Sequence, residues 1–182
     1  VRRADGTQEI EHIPLTEEEM LHPEEGFVMP ERTEHDRLCG DLAEMLRGYA
    51  LNHPTLVVFR DLRFEWDHPE VKPYAPDIAV VAHVRQPAAD RGTFVVAAEG
   101  VRPLLLIEIV SPTSREADRR QKVLDYALAG VQEYIYIDPR TIRGKQIWEM
   151  AGFRLERGSY LPIVPDEDGA IYCVTIQARI GI

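Results

Sequence analysis

The chain has 182 residues, 45% of them hydrophobic, and a formal net charge of −10. That length suits one globular domain with a single core, and no apolar run approaches the roughly 20 residues of a membrane span. The negative balance argues against broad, non-specific nucleic-acid binding, which needs a basic face.

The acidity is local. Residues 1–36 hold eleven acidic and three basic side chains, so the rest of the chain is close to neutral. Residues 1–30 therefore read as an acidic N-terminal arm, with Thr16 and Glu19 placed as a capping box, and residues 31–182 as a single domain. From Thr33 the pattern is helical, with Leu38, Leu42, Met45, Leu46 and Tyr49 at spacings of three and four, ended by Asn52-His53-Pro54. Leu56–Phe59, Leu62–Trp66, Tyr74–Val81 and Phe94–Val96 read as strands. The densest signal runs from Leu104 to Pro139: an apolar strand, a helix after Ser114, and a second strand, Gln132–Asp138. Such a unit predicts at least one parallel pair. Short runs at Ile147–Met150, Phe153–Leu155 and Tyr172–Ile176 predict closing antiparallel strands. The fold class is a mixed α/β domain. No signal-peptide pattern opens the chain, and Cys39 and Cys173 form no metal-ligand spacing, so both read as reduced thiols of a cytoplasmic protein.

Glu108 stands out because its strand is apolar on both faces. A buried carboxylate costs several kcal/mol unless it is paired, protonated or bound to a metal. Asp77, after Pro76, opens another apolar strand, although a Pro-Asp pair is also common turn chemistry. On the helix, Leu124, Ala127, Leu128 and Val131 predict the core stripe. Asp118, Lys122 and Asp125 or Tyr126 share a different face, which reads either as a solvated charged face or as partners of Glu108. Two carboxylates and one lysine converging at a sheet edge suit phosphodiester hydrolysis. The carboxylates would hold a hard cation, Mg²⁺ or Mn²⁺, and the lysine would position water or stabilise developing charge.

Pro76-Asp77, Glu108-Ile109-Val110-Ser111-Pro112, Asp118, Lys122, Tyr126, Gly130-Val131, Glu133-Tyr134 and Asp138-Pro139 together resemble the Uma-two family. These are restriction-endonuclease-like proteins of bacteria within the PD-(D/E)xK nuclease superfamily. The resemblance runs from about His35 to Pro139. It implies a core of αβββαβ order with additional short antiparallel strands. It also implies that Asp77 and Glu108 bind metal, that the Ile109 carbonyl is a third ligand, and that Lys122 is the catalytic lysine. The superfamily's usual lysine position, two residues after the glutamate, holds Val110 here. His35 resembles a histidine that opens the family's first helix, with a capping or a site role open. The acidic, glycine-turn segment usual upstream is only loosely echoed by Glu24-Glu25-Gly26, so any contribution from Glu31 or Glu34 is undefined.

These residues support two function classes. One is a Mg²⁺-dependent DNA endonuclease. The other is a binding or regulatory module that keeps the nuclease fold, as a homodimer, with little turnover. The charge favours the second, and the joint presence of Asp77, Glu108 and Lys122 favours the first. In the nuclease reading, DNA is the partner and the acidic arm keeps clear of the cleft. At least one cluster, Arg115/Arg119/Arg120 or Arg140/Arg143/Lys145, then rims it and contacts phosphate.

Overall fold

The structure, a computed structural model, describes residues 33–111, 114–142 and 145–181. The acidic arm, the Thr16/Glu19 box, the Glu24–Gly26 turn, Glu31, Pro112 and Arg143 lie outside these residues, and so do the side chains of Glu34 and Lys145.

The helical repeat forms α1 (Thr33–Ala50), which buries Cys39, Ala43 and Leu46. Strands β1 (Leu56–Arg60), β2 (Arg63–Glu65), β3 (Ile78–Ala82) and β4 (Thr93–Val95) follow, then a one-turn helix α2 (Val96–Glu99) and β5 (Pro103–Ile109). A π-helical turn over Ala117–Gln121 leads into α3 (Lys122–Leu128). Gly130, at φ 76°, ends that helix in the left-handed region, where a side chain would be strained. The chain closes with β6 (Glu133–Ile142), β7 (Lys145–Glu156), β8 (Ser159–Ile163), β9 (Ile171–Cys173) and β10 (Ala178–Ile180).

Six strands form one mixed sheet in the order β1-β3-β5-β6-β7-β8. Only β5 and β6 are parallel within it, with Glu108 opposite Tyr136 and Ile109 opposite Ile137. The other four pairs are antiparallel. Both faces of the sheet are covered, which is why β5 is apolar throughout. Leu105, Ile107 and Ile109 pack with Cys39, Ala43 and Leu46 of α1. The alternate residues, Leu106 and Val110, pack with Tyr126, Tyr134 and Tyr136. By the same alternation Glu108 belongs to the α3 side. Among the described helices, none is long and apolar enough to cross a membrane.

Two sequence expectations are corrected. The predicted core stripe of the 115–128 helix points outward at Leu124 and Leu128, which are 63% and 46% exposed. The buried face carries Asp118, Asp125 and Tyr126 instead. A helix packs whichever face gains more, and here that face answers a carboxylate already committed to the sheet. Secondly, the two short strand signals around Ala151-Gly152 are one continuous strand, β7. A Cβ at Gly152 would lie 2.8 Å from Ile171 Cδ1, so glycine marks a close approach rather than a break.

Candidate active site

Asp77 and Glu108 come from neighbouring strands. Ile78 pairs with Ile107 across the β3–β5 ladder, so the residues just outside that pair, Asp77 and Glu108, are brought side by side. Asp77 Oδ2 accepts the Ile109 N–H at 2.7 Å. His35, on the first turn of α1, places Nε2 2.9 Å from the Ile109 carbonyl and 3.4 Å from Asp77 Oδ2. The N–H of Ile109 thus binds the carboxylate, while its C=O faces the imidazole.

Glu108 is buried, and Lys122 Nζ lies 2.9 Å from its Oε1. The same ammonium lies 2.7 Å from Asp118 Oδ1, one turn earlier on the helix. Tyr126 donates its hydroxyl to Glu108 Oε1 at 2.7 Å. Ser114 donates to Asp118, and the Tyr134 hydroxyl donates to the Asp118 carbonyl at 2.8 Å. On the far side, Asp125 accepts from Tyr74 and from Gln121. The helix turn that contains Asp118 is therefore fixed on several sides.

The lysine side chain is 13% exposed. Burial alone would lower its pKa, but Glu108 and Asp118 outweigh that effect and push it up, so Lys122 stays charged. Burial pushes Glu108 up, to about 7. Lys122 opposes that rise, while the nearby Asp77 and Asp118 add to it. Tyr126 is raised well above its ordinary value, first by burial and then by Glu108, so it remains a proton donor.

Glu108 yields a stability prediction. Its folded pKa lies above the ordinary value of 4.5, so between about pH 4.5 and about 7 the folded state holds the extra proton. Stability must then fall as pH rises through that window. Urea unfolding in chelator should show this slope in the wild type and a flatter one in Glu108→Gln; identical slopes would remove Glu108 as its source.

The structure thus brings Asp77, Glu108, Ile109, Lys122 and His35 to one end of the sheet. Tyr126 and Asp118 join them through Glu108 and Lys122. The sequence reading did not connect Cys39, whose Sγ lies 3.6 Å from His35 Nδ1. The i, i+4 spacing of His35 and Cys39 on a helix was the available signal.

The described arginines of the two clusters are anchored on carboxylates. Arg115, Arg119 and Arg140 converge on the buried carboxylate of Asp138 at 2.9 Å each. Arg119 and Arg140 also reach Glu149. Three guanidiniums against two carboxylates leave one positive charge at the end of β6 adjoining Glu108's strand. Arg120 pairs instead with Glu116 at the surface.

The donor set can be tested against a hard cation on its chemistry. Two carboxylates and one carbonyl are all oxygen ligands, as Mg²⁺ requires. Each carboxylate has about four lone-pair sites, so its protein contacts leave capacity on both. Glu108 and Asp118 flank one ammonium, and Asp77 stands beside Glu108, three acids to one lysine. That excess of negative charge fits a divalent cation.

Comparison with known proteins bears on the fold and the family. A crystal structure of a protein from Anabaena variabilis, described as "a putative nuclease", superposes with a TM-score of 0.58 at 16% sequence identity. The match covers 82% of this chain and 76% of that one, and at such identity it speaks for the fold. No curated protein matches the chain. The Uma2 (Uma-two) family, described as "Putative restriction endonuclease", matches over residues 9–173. Nearly the whole sequence is covered by that match, and the chain belongs to the Uma2 family of restriction-endonuclease-like proteins.

Proposed function

We propose that the chain is a metal-dependent DNA endonuclease that hydrolyses phosphodiester bonds. The observation that carries this reading is the helix-borne ammonium of Lys122 held against Glu108, with Asp77 at the adjacent strand entrance. Asp77, Glu108 and the Ile109 carbonyl would hold Mg²⁺ or Mn²⁺. When bound, such an ion polarises the phosphate and lowers the pKa of a bound water.

The protein's own groups do the rest. An ammonium has three N–H donors, and Glu108 and Asp118 take two of them. The third can orient the attacking water or stabilise charge on the phosphoryl oxygens. Asp118 and Ser114 set the direction of that donor. Tyr126, with Lys122, holds Glu108 Oε1 towards α3, and His35 fixes the Ile109 carbonyl. The residual positive charge of the Arg115/Arg119/Arg140 group lies on the flank where an incoming phosphate would be attracted.

Metal binding and cleavage provide separate readouts. Mg²⁺ or Mn²⁺ should raise the melting temperature by mass action, amounting to about 2.7 kcal/mol at a hundredfold excess over the dissociation constant. Asp77→Asn should lose both that shift and the cleavage of duplex DNA. Metal-induced stabilisation unchanged in Asp77→Asn would exclude Asp77 as a ligand.

The second reading, a nuclease-fold module with little turnover, is favoured by how completely Lys122 is paired. It predicts that Mg²⁺ binds without cleavage of any duplex or single-stranded DNA.

A further inference from the structure

The geometry points to a second cation site: His35, Cys39 and Asp77 form a pocket for a borderline-soft divalent ion, Zn²⁺ foremost, which shares Asp77 with the hard-cation position. His35 and Cys39 stand one turn apart on α1 and face the same way. One donor atom from each of the three residues lies within 4.8 Å of the other two.

The imidazole is set up in a specific tautomer. Its Nε2 faces the Ile109 carbonyl at 2.9 Å, an acceptor only, so the proton belongs on Nε2. Nδ1 then carries the lone pair, and Nδ1 is the atom facing Cys39 Sγ. Zinc-ligating histidines are typically held this way, with the second ring nitrogen donating to a carbonyl or carboxylate. The observed Nδ1 to Sγ distance is 3.6 Å. A tetrahedral ion with bonds of about 2.3 Å to sulfur and about 2.0 Å to nitrogen would span an edge of about 3.5 Å. Asp77 Oδ2 lies 3.4 Å from His35 Nε2 and accepts the Ile109 N–H, so it becomes the third donor by turning from that N–H towards Nδ1.

Ligand softness separates this site from the oxygen site. A thiolate and an imidazole favour Zn²⁺ over Mg²⁺, whereas Glu108 and the Ile109 carbonyl favour the hard ion. On binding, a bond forms from Cys39 sulfur to the ion and the thiol proton leaves to solvent. His35 and Asp77 are 16% and 19% exposed, so the cluster is not sealed from solvent. A carboxylate committed to Zn²⁺ is withdrawn from the oxygen site, so zinc opposes Mg²⁺. That antagonism rests on the nuclease reading; the binding of zinc does not.

The test uses the full chain stripped of metal and titrated with Co²⁺. The wild type should develop a thiolate-to-cobalt charge-transfer band with tetrahedral d–d absorption, and one equivalent of Zn²⁺ should abolish both. Cys173→Ser should retain the band, while Cys39→Ser and Cys39→Ala should lose it. Thermal melting checks that each variant is folded, and Cys39→Ala suits the apolar surroundings if the serine is not tolerated. Excess Mg²⁺ should raise the apparent Co²⁺ dissociation constant at least tenfold. No charge-transfer band in the wild type, or a band that survives Cys39→Ala, overturns the site. Co²⁺ affinity indifferent to Mg²⁺ overturns the shared ligand. An intact, Cys39-dependent band in a protein that cuts no DNA supports this site while failing the nuclease reading.

Discussion

Lys122→Met should reduce DNA cleavage by at least about 10²–10³-fold, the usual loss when one donor to a developing oxyanion is removed. The same change should lower stability in chelator by roughly 3–5 kcal/mol, because it leaves buried carboxylates without their counter-ion. At about 2–4 °C per kcal/mol for a chain of this size, melting should fall by roughly 6–20 °C. Glu108→Gln should behave differently. It removes a carboxylate that burial already disfavours, and Lys122 keeps Asp118. Folding should then be nearly neutral while metal binding and cleavage are lost. Mg²⁺ should stabilise Lys122→Met more than the wild type, since a competing positive charge has gone. The combined Glu108→Gln, Asp118→Asn, Lys122→Met variant should recover most of the stability and none of the activity. Equal, severe losses in Glu108→Gln and Lys122→Met, with no response to Mg²⁺, would mark a purely structural ion pair.

Asp138→Asn should be the most damaging change outside that group. Three guanidiniums share this buried carboxylate, and two of them also reach Glu149. Removing the charge leaves positive groups facing one another beside the aromatic ring of Tyr136, over which Arg119 lies. A loss of roughly 3–5 kcal/mol in urea unfolding is expected. The freed arginines should also take up anions. Duplex DNA binding in chelator, followed by anisotropy across a salt series, should steepen by about 0.9 in log–log slope per additional phosphate contact. Unaltered stability would show that the arginines are balanced by solvent rather than by Asp138.

Much of this arrangement was legible in the sequence because, Glu108 apart, β5 is apolar on both faces, which only a covered strand tolerates. Against that background Glu108 was conspicuous, and Lys122 was the cation within reach. The inward face of the following helix was not legible. Counting apolar residues selected Leu124 and Leu128, yet those are exposed, because the helix is oriented by a tertiary partner rather than by its own hydrophobicity. Nor was the centre of the arginine group legible: the clusters were read as a phosphate-contacting rim, and Asp138, an ordinary acid before a proline, gave no sign that Arg115, Arg119 and Arg140 share it. The link between Cys39 and Asp77 required α1 to be laid across the sheet, which spacing within one helix could not supply.

The wide turn at Ala117–Gln121 makes the chemistry sensitive to chain length. It bonds Lys122 N–H back to the Ala117 carbonyl, so it accommodates one residue more than a regular turn does. Loss of a single codon there would restore ordinary winding and leave α3 facing as it does, whereas one further codon, with the wide turn already occupied, would rotate α3 by about 100° relative to the residues that enter the turn. Lys122 would swing away from Glu108 although every named side chain remained in the protein. An in-frame insertion too small to disturb the sheet thus disarms the protein, and the loss of one residue from the turn rearms it.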